Sequence, residues 1–220
     1  MLTERFTQAV DHAREAHASQ TRKGTSVPYI AHLLGVASLV LEYGGDEDQA
    51  IAGLLHDAIE DQGEHHEPII RRQFGDRVAD IVLACTDGTQ ESKAAAVTPE
   101  EKHADWQQRK QRYLAHLAQV PDDALLVSAC DKLHNALAIL AGLRDPAIGV
   151  AVFDRFTGKC DGTLWYYREI ARVFSQRNVS VAGALGAVIA EMCTQWNQRG
   201  PPKYLIDDQT AVCEHCCTLP

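Results

Sequence analysis

The sequence predicts an all-α protein built as a single-domain helical bundle. Apolar residues recur at helical spacing along almost the whole chain, and the breaks between runs carry Gly, Pro or a capping side chain. No stretch alternates apolar with polar residues over a useful strand length. With 220 residues and no internal repeat the chain can bury one good core, so we expect a domain over 1–199 and an irregular tail over 200–220.

Residues 3–19 have the spacing of an amphipathic helix, which Gly24 and Pro28 interrupt within TRKGTSVPY. Residues 30–43, IAHLLGVASLVLEY, are apolar nearly all round and stop at Gly44-Gly45, which predicts a buried helix. Asp46 is the expected cap of a helix that carries HDAIED. Short helices are expected near 67–73 and 76–86, then a small, polar loop over 87–98. Thr98-Pro99-Glu100-Glu101 combines a cap, a first-position proline and first-turn acids, so a helix starts there and runs towards Pro121. Asp122 or Asp123 caps the next, through ALLVSACDKLHNALAILAGL, and two more are expected near 161–176 and 181–197.

Composition narrows the function. Hydrophobic residues make up 45% and charged residues 23%, ordinary for a globular protein, and no apolar run is of membrane-spanning length. The N-terminus MLTERFTQAVDHAREAH lacks a signal-peptide core, which predicts a cytoplasmic protein with no membrane partner. A net charge of −9 argues against nucleic-acid binding; a small anion would need a local cluster of Lys and Arg. The seven cysteines are mostly scattered through apolar runs, as reduced thiols are. Cys213, His215, Cys216 and Cys217 crowd the tail without a second ligand pair and receive no role. Helices over 161–197 and the tail are the candidate surfaces for a homo-oligomer.

Residues 53–62 read GLLHDAIEDQ. On a helical wheel Ile51, Leu54, Leu55, Ala58 and Ile59 share one side, and His56, Asp57, Glu60 and Asp61 the other, which alone reads as a solvated face. Two distant residues change that reading. Asp131 follows LLVSAC, apolar on every side, and a buried carboxylate needs a cation, donors or a proton. His32 sits likewise inside the apolar 30–43 run. Together His32, His56, Asp57 and Asp131 make an N₂O₂ donor set suited to Mn²⁺, Fe²⁺, Zn²⁺ or Co²⁺.

The order H…HD…D resembles that of the HD-domain metal-dependent phosphohydrolases, and so implies a helical bundle of the HD-domain type. The fuller pattern resembles the (p)ppGpp hydrolase domain of the RelA/SpoT family, particularly the stand-alone small alarmone hydrolases. Six blocks carry the likeness: QTRKGTSVPYIAH, AGLLHDAIED, FGDRVADIVLACTDG, WQQRKQRYLAHL, SACDKLHNA and LWYYR, from about residue 8 to residue 170. The resemblance implies Mn²⁺, or another divalent metal, on His32, His56, Asp57 and Asp131. It implies catalytic assistance from Glu60 and Asp61, and a nucleotide lined by Arg22 and Lys23. Lys132 and Asn135 lie in the block that flanks ribose and phosphates; Lys110 matches a phosphate contact and Tyr166 a base or ribose contact. The implied reaction is removal of the 3′-diphosphate from a guanosine or adenosine alarmone. A phosphatase for NADPH or a deoxynucleotide, and a non-catalytic nucleotide sensor, are the competing readings. Leu137 and Ala138 stand where long family members often carry Arg-Thr, which removes a phosphate donor and a hydroxyl. The length leaves no room for a synthetase domain, so hydrolysis without synthesis is expected.

Overall fold

Helices α1 (Glu4–Ala16), α2 (Ile30–Glu42), α3 (Glu47–Leu55), α4 (Ala58–Gln62), α5 (His66–Phe74) and α6 (Asp76–Cys85) follow in order in a computed structural model describing residues 1–86 and 98–199. Then come α7 (Pro99–Leu117), α8 (Asp122–Arg144), a 3₁₀ helix (Gly149–Arg155), α9 (Lys159–Gln176) and α10 (Ala182–Arg199). No strand occurs among the described residues, although Thr21 and Pro28 form an isolated β-bridge. The tail cysteines and the loop expected over 87–97 lie outside the described residues.

The helix ends follow local chemistry. Asp46 and Gln49 cap α3 reciprocally, each side chain taking the other's backbone N–H at 3.0 Å. Thr98 and Glu101 do the same for α7, at 3.2 and 2.9 Å. At the end of α2, Gly45 N–H donates to Val40 O (2.8 Å) and Gly44 N–H to Leu41 O (3.2 Å). Gly44 has φ +88°, a left-handed conformation that favours glycine in such a stop. Two expectations need correction. Neither Asp122 nor Asp123 caps α8; Pro121 holds that position, and both acids fall in the first turn, where the helix dipole still favours them. α7 ends at Leu117 rather than near Pro121, and Arg177, beyond α9, donates to the exposed carbonyls of Leu117, Ala118 and Val120 at 3.2, 2.9 and 3.0 Å.

The core gathers around α8, which packs on α2, α3, α6 and α10. Leu125, Val127, Ala129, Leu140 and Leu143 of α8 are buried there, each larger side chain contributing about 1.5–3 kcal/mol of burial. By length and hydropathy α8 matches a membrane span, yet most of that apolar window is buried inside the bundle. α2 is buried along His32, Leu33, Val36, Ala37 and Val40, while Ala31, Leu34 and Ser38 are exposed, so it is not covered all round as its composition predicted. Cys85, Cys130, Cys160 and Cys193 are buried free thiols. The packing of α2, α3 and α8 on one another brings their polar positions to one place.

Candidate active site

The sequence HDAIED does not lie on one unbroken helix. α3 stops at Leu55 and α4 starts at Ala58, so His56 and Asp57 form a two-residue step between them. In a continuous helix adjacent side chains diverge by about 100°. The step removes that divergence: His56 Nε2 and Asp57 Oδ2 lie 2.9 Å apart. His56 is 3% exposed, which also corrects the solvated-face reading. From α2, His32 Nε2 lies 3.7 Å from Asp57 Oδ2 and 3.2 Å from Asp131 Oδ1 of α8. His56 Nε2 lies 3.6 Å from the same Asp131 oxygen. The four side chains expected to converge do so.

Hydrogen bonds on the far side of each ring turn both imidazoles towards this centre. His56 Nδ1 lies 2.9 Å from Gly53 O, and a carbonyl only accepts, so the proton sits on Nδ1. His32 Nδ1 faces His134 Nδ1 at 2.9 Å. Burial first, then His32 and Arg22, push His134 down to about 4, so its ring stays neutral and can accept. Both Nε2 atoms are buried and lack a hydrogen-bond partner. A buried, unpartnered nitrogen is costly, and two of them beside two carboxylates fit a divalent cation. Ligand atoms of His32, His56 and Asp57 lie within 4.8 Å of one another, the span of a coordination shell.

The charges support the same occupant. Burial opposes ionisation of Asp57 and Asp131, but His56 and His32 outweigh it at Asp57, and Lys132 and both histidines at Asp131. Both carboxyls are held well below the usual range. Burial likewise opposes charge on His56, yet Asp57 and Asp131 drive it well above its ordinary value. A divalent cation held here would supply the positive charge that the two carboxylates favour on His56. Lys132 Nζ donates to Asp131 Oδ2 and Asn135 Nδ2 to Oδ1, both at 2.5 Å. Tyr29 donates its hydroxyl to Asp57 Oδ2 at 2.7 Å.

Beside the centre opens a cavity of about 790 Å³, lined by His32, Glu60, Arg22, Lys23 and Lys110 among others. Lys132, Asn135 and Tyr166 also line it. Arg22 donates to Asn135 Oδ1 at 2.8 Å, so the two residues are coupled rather than separate contacts. Tyr166 is buried, as a core aromatic would be, yet borders the cavity with Lys110 Nζ 4.7 Å from its ring centre. Asp61 is not among the lining residues; its Oδ2 accepts from Gln20 Nε2 at 2.7 Å. Sequence reasoning missed Gln20, Tyr29 and His134, which bind the site's acids and its histidine. It also missed Trp106, Lys102 and Arg155 on the cavity wall. His134 stands three positions after Asp131, one helical turn, and that spacing was the available signal.

A helical bundle holding a buried imidazole–carboxylate centre beside a basic cavity has the features of a divalent-cation site. Residues 9–150 match the HD domain, and the chain belongs to that family. Over 83 residues it is 43% identical to guanosine-3′,5′-bis(diphosphate) 3′-pyrophosphohydrolase of Aquifex aeolicus (strain VF5), covering 38% of this chain and 12% of that protein. Over 131 residues it is 35% identical to guanosine-3′,5′-bis(diphosphate) 3′-pyrophosphohydrolase MESH1 of Xenopus tropicalis, covering 58% of this chain and 65% of that protein. The chain therefore spans less than two thirds of either relative. A solved structure of a metazoan ortholog of SpoT, described as hydrolysing ppGpp, shares the fold: TM-score 0.64, 19% identity, 91% of this chain and 98% of the other. A solved structure from Listeria monocytogenes EGD-e gives TM-score 0.58 at 25% identity, covering 76% and 97%.

Proposed function

We propose that this chain is a Mn²⁺-dependent 3′-pyrophosphohydrolase of guanosine or adenosine alarmones such as (p)ppGpp. The observation that carries this reading is the pair of buried, unpartnered nitrogens, His32 Nε2 and His56 Nε2, facing Asp57 and Asp131 beside a basic cavity. These four residues would hold the cation. A bound divalent ion supplies Lewis acidity, lowering the pKa of water towards neutrality and polarising a phosphoryl oxygen. Glu60, on the cavity wall, and Asp61, one turn from Asp57, orient the attacking water and carry a proton to the leaving 3′ oxygen. Water attacks the phosphorus bonded to that oxygen, the P–O3′ bond breaks, and pyrophosphate leaves a nucleoside 5′-di- or triphosphate. Arg22, Lys23, Lys110 and Lys132 balance the phosphate charge, Asn135 holds Arg22, and Tyr166 packs against base or ribose. Residues 1–199 act as the phosphohydrolase unit.

The experiment is a panel of purified protein with Mn²⁺, Zn²⁺ or Mg²⁺ against (p)ppGpp, (p)ppApp, NADPH and deoxynucleoside triphosphates, following pyrophosphate and phosphate separately. Pyrophosphate release from an alarmone with Mn²⁺ is the expected result. Phosphate release from NADPH or a deoxynucleotide alone moves the reading to another nucleotide. Tight alarmone binding with bound metal and no turnover makes the chain a sensor.

A further inference from the structure

The segment between α1 and α2 does more than carry Arg22 and Lys23. It folds back on itself: Arg22 N–H donates to Val27 O at 2.8 Å and Tyr29 N–H to Gln20 O at 3.0 Å, with Thr21 and Pro28 bridged between. Gln20 and Tyr29 thus form the paired base of a small hairpin. Each of them binds one acid of the HDAIED stretch, Tyr29 through its hydroxyl to Asp57 and Gln20 through its amide nitrogen to Asp61, both at 2.7 Å.

His17, at the end of α1, supports both. It is 3% exposed, and its ring stacks on that of Tyr29 with centroids 5.1 Å apart and planes 23° from parallel. Its Nδ1 lies 2.7 Å from Gln20 Oε1, and Gln62 Nε2 donates to the same oxygen at 2.6 Å. Gln62 Nε2 also lies 3.3 Å from His17 Nδ1, but the 2.7 Å contact between His17 Nδ1 and Gln20 Oε1 is the shorter and sets the polarity. An amide oxygen only accepts, so His17 must carry its proton on Nδ1, and the Gln20 NH₂ must face Asp61. Reversing the Gln20 amide sets its NH₂ against two donors and its oxygen against a carboxylate. His17 Nε2 is buried without a hydrogen-bond partner, so the Gln20 contact is what fixes the ring.

We propose that Gln20, locked by His17 and Gln62, is a positioning residue that fixes the Asp61 carboxylate relative to the His/Asp centre. This rests on the reading of Asp61 as an assistant to hydrolysis. A catalytic carboxylate free to change rotamer loses rate without losing substrate affinity, and misplacement by about 1 Å costs on the order of 10²-fold. Gln20 therefore acts on kcat, through Asp61, and leaves metal and nucleotide binding alone.

The test is a double-mutant cycle of wild type, Gln20→Leu, Asp61→Asn and the double variant, with kcat, KM and Mn²⁺ affinity measured for each. Gln20→Leu is expected to lower kcat by about 10–100-fold with KM and Mn²⁺ affinity within about twofold, and to cost less than about threefold in the Asp61→Asn background. An equal loss in both backgrounds, a loss carried by KM or metal affinity, or no loss overturns the proposal. Nitrogen-15 NMR of His17 gives a readout independent of turnover: the Nδ1–H tautomer is expected, and Nε2–H overturns the network. Wild-type protein inactive on every alarmone sinks the functional reading itself, whereas active wild type with an additive cycle sinks the positioning role alone.

Discussion

At the scale of single residues, the centre depends on what stands behind each of its side chains. His134 bonds the rear nitrogen of His32, and it reaches there only because residue 35 is glycine. A Cβ on Gly35 would lie 2.2 Å from His134 Nε2 and 2.4 Å from its Cδ2. Gly35→Ala must displace that ring and loosen His32. The expected result is a loss of about 10–100-fold in Mn²⁺ affinity, with about 1–3 kcal/mol of overpacking strain, measured by metal titration and denaturant unfolding. A folded variant with unchanged metal affinity would refute the support role of His134. The convergence of the four side chains was legible because a buried acid such as Asp131 needs a partner whatever the fold. Tyr29, Gln20 and Gly35 were not, since an ordinary tyrosine, glutamine or glycine shows its purpose only once the facing helix is known.

At the scale of elements, α1 and α5 meet through histidines. His12 Nε2 lies 3.1 Å from His66 Nδ1, one donating and one accepting, so the two rings cannot both be charged in that contact. Burial first, then the neighbouring His65 and His12, push His66 down to about 4. In the unfolded chain it titrates near 6.5, so between pH 6.5 and 4 the unfolded state binds a proton that the folded state refuses. Stability therefore falls as pH falls through that window, by on the order of 2–3 kcal/mol from this residue. Unfolding curves of wild type and His66→Gln should converge as pH is lowered from 6.5 to 4.5; parallel curves would exclude the effect. Helices α1 to α6 were readable to within a few residues because caps and glycines punctuate them. The step at His56-Asp57 and the 3₁₀ helix Gly149–Arg155 were not, because no proline or glycine marks the first and GVAVFDR carries no distinctive period. The break falls where α3, packed on α2 and α8, ends beside the buried His32 and Asp131.

At the scale of the whole molecule, the formal charge of −9 opposes the approach of an anion, while the cavity has the opposite sign. Arg109 is paired with Asp105 and Lys132 with Asp131, and the wall further presents Arg22, Lys23, Lys102, Lys110 and Arg155 against Glu60. Cations focused in a concave wall raise the local concentration of a polyphosphate, whereas the acids elsewhere are screened at separations beyond about 8–10 Å at ordinary salt. If that local field dominates, KM for an alarmone should rise by about tenfold between 50 and 300 mM KCl while kcat changes little. Lys102→Gln and Arg155→Gln, both on the cavity wall, should each raise KM at low salt and flatten its salt dependence. A net-charge effect would do the reverse, since added salt would relieve repulsion and lower KM. Steady-state kinetics across the salt series separate the two: a KM that falls with salt, or ignores it, would mean that the basic wall does not gather the substrate.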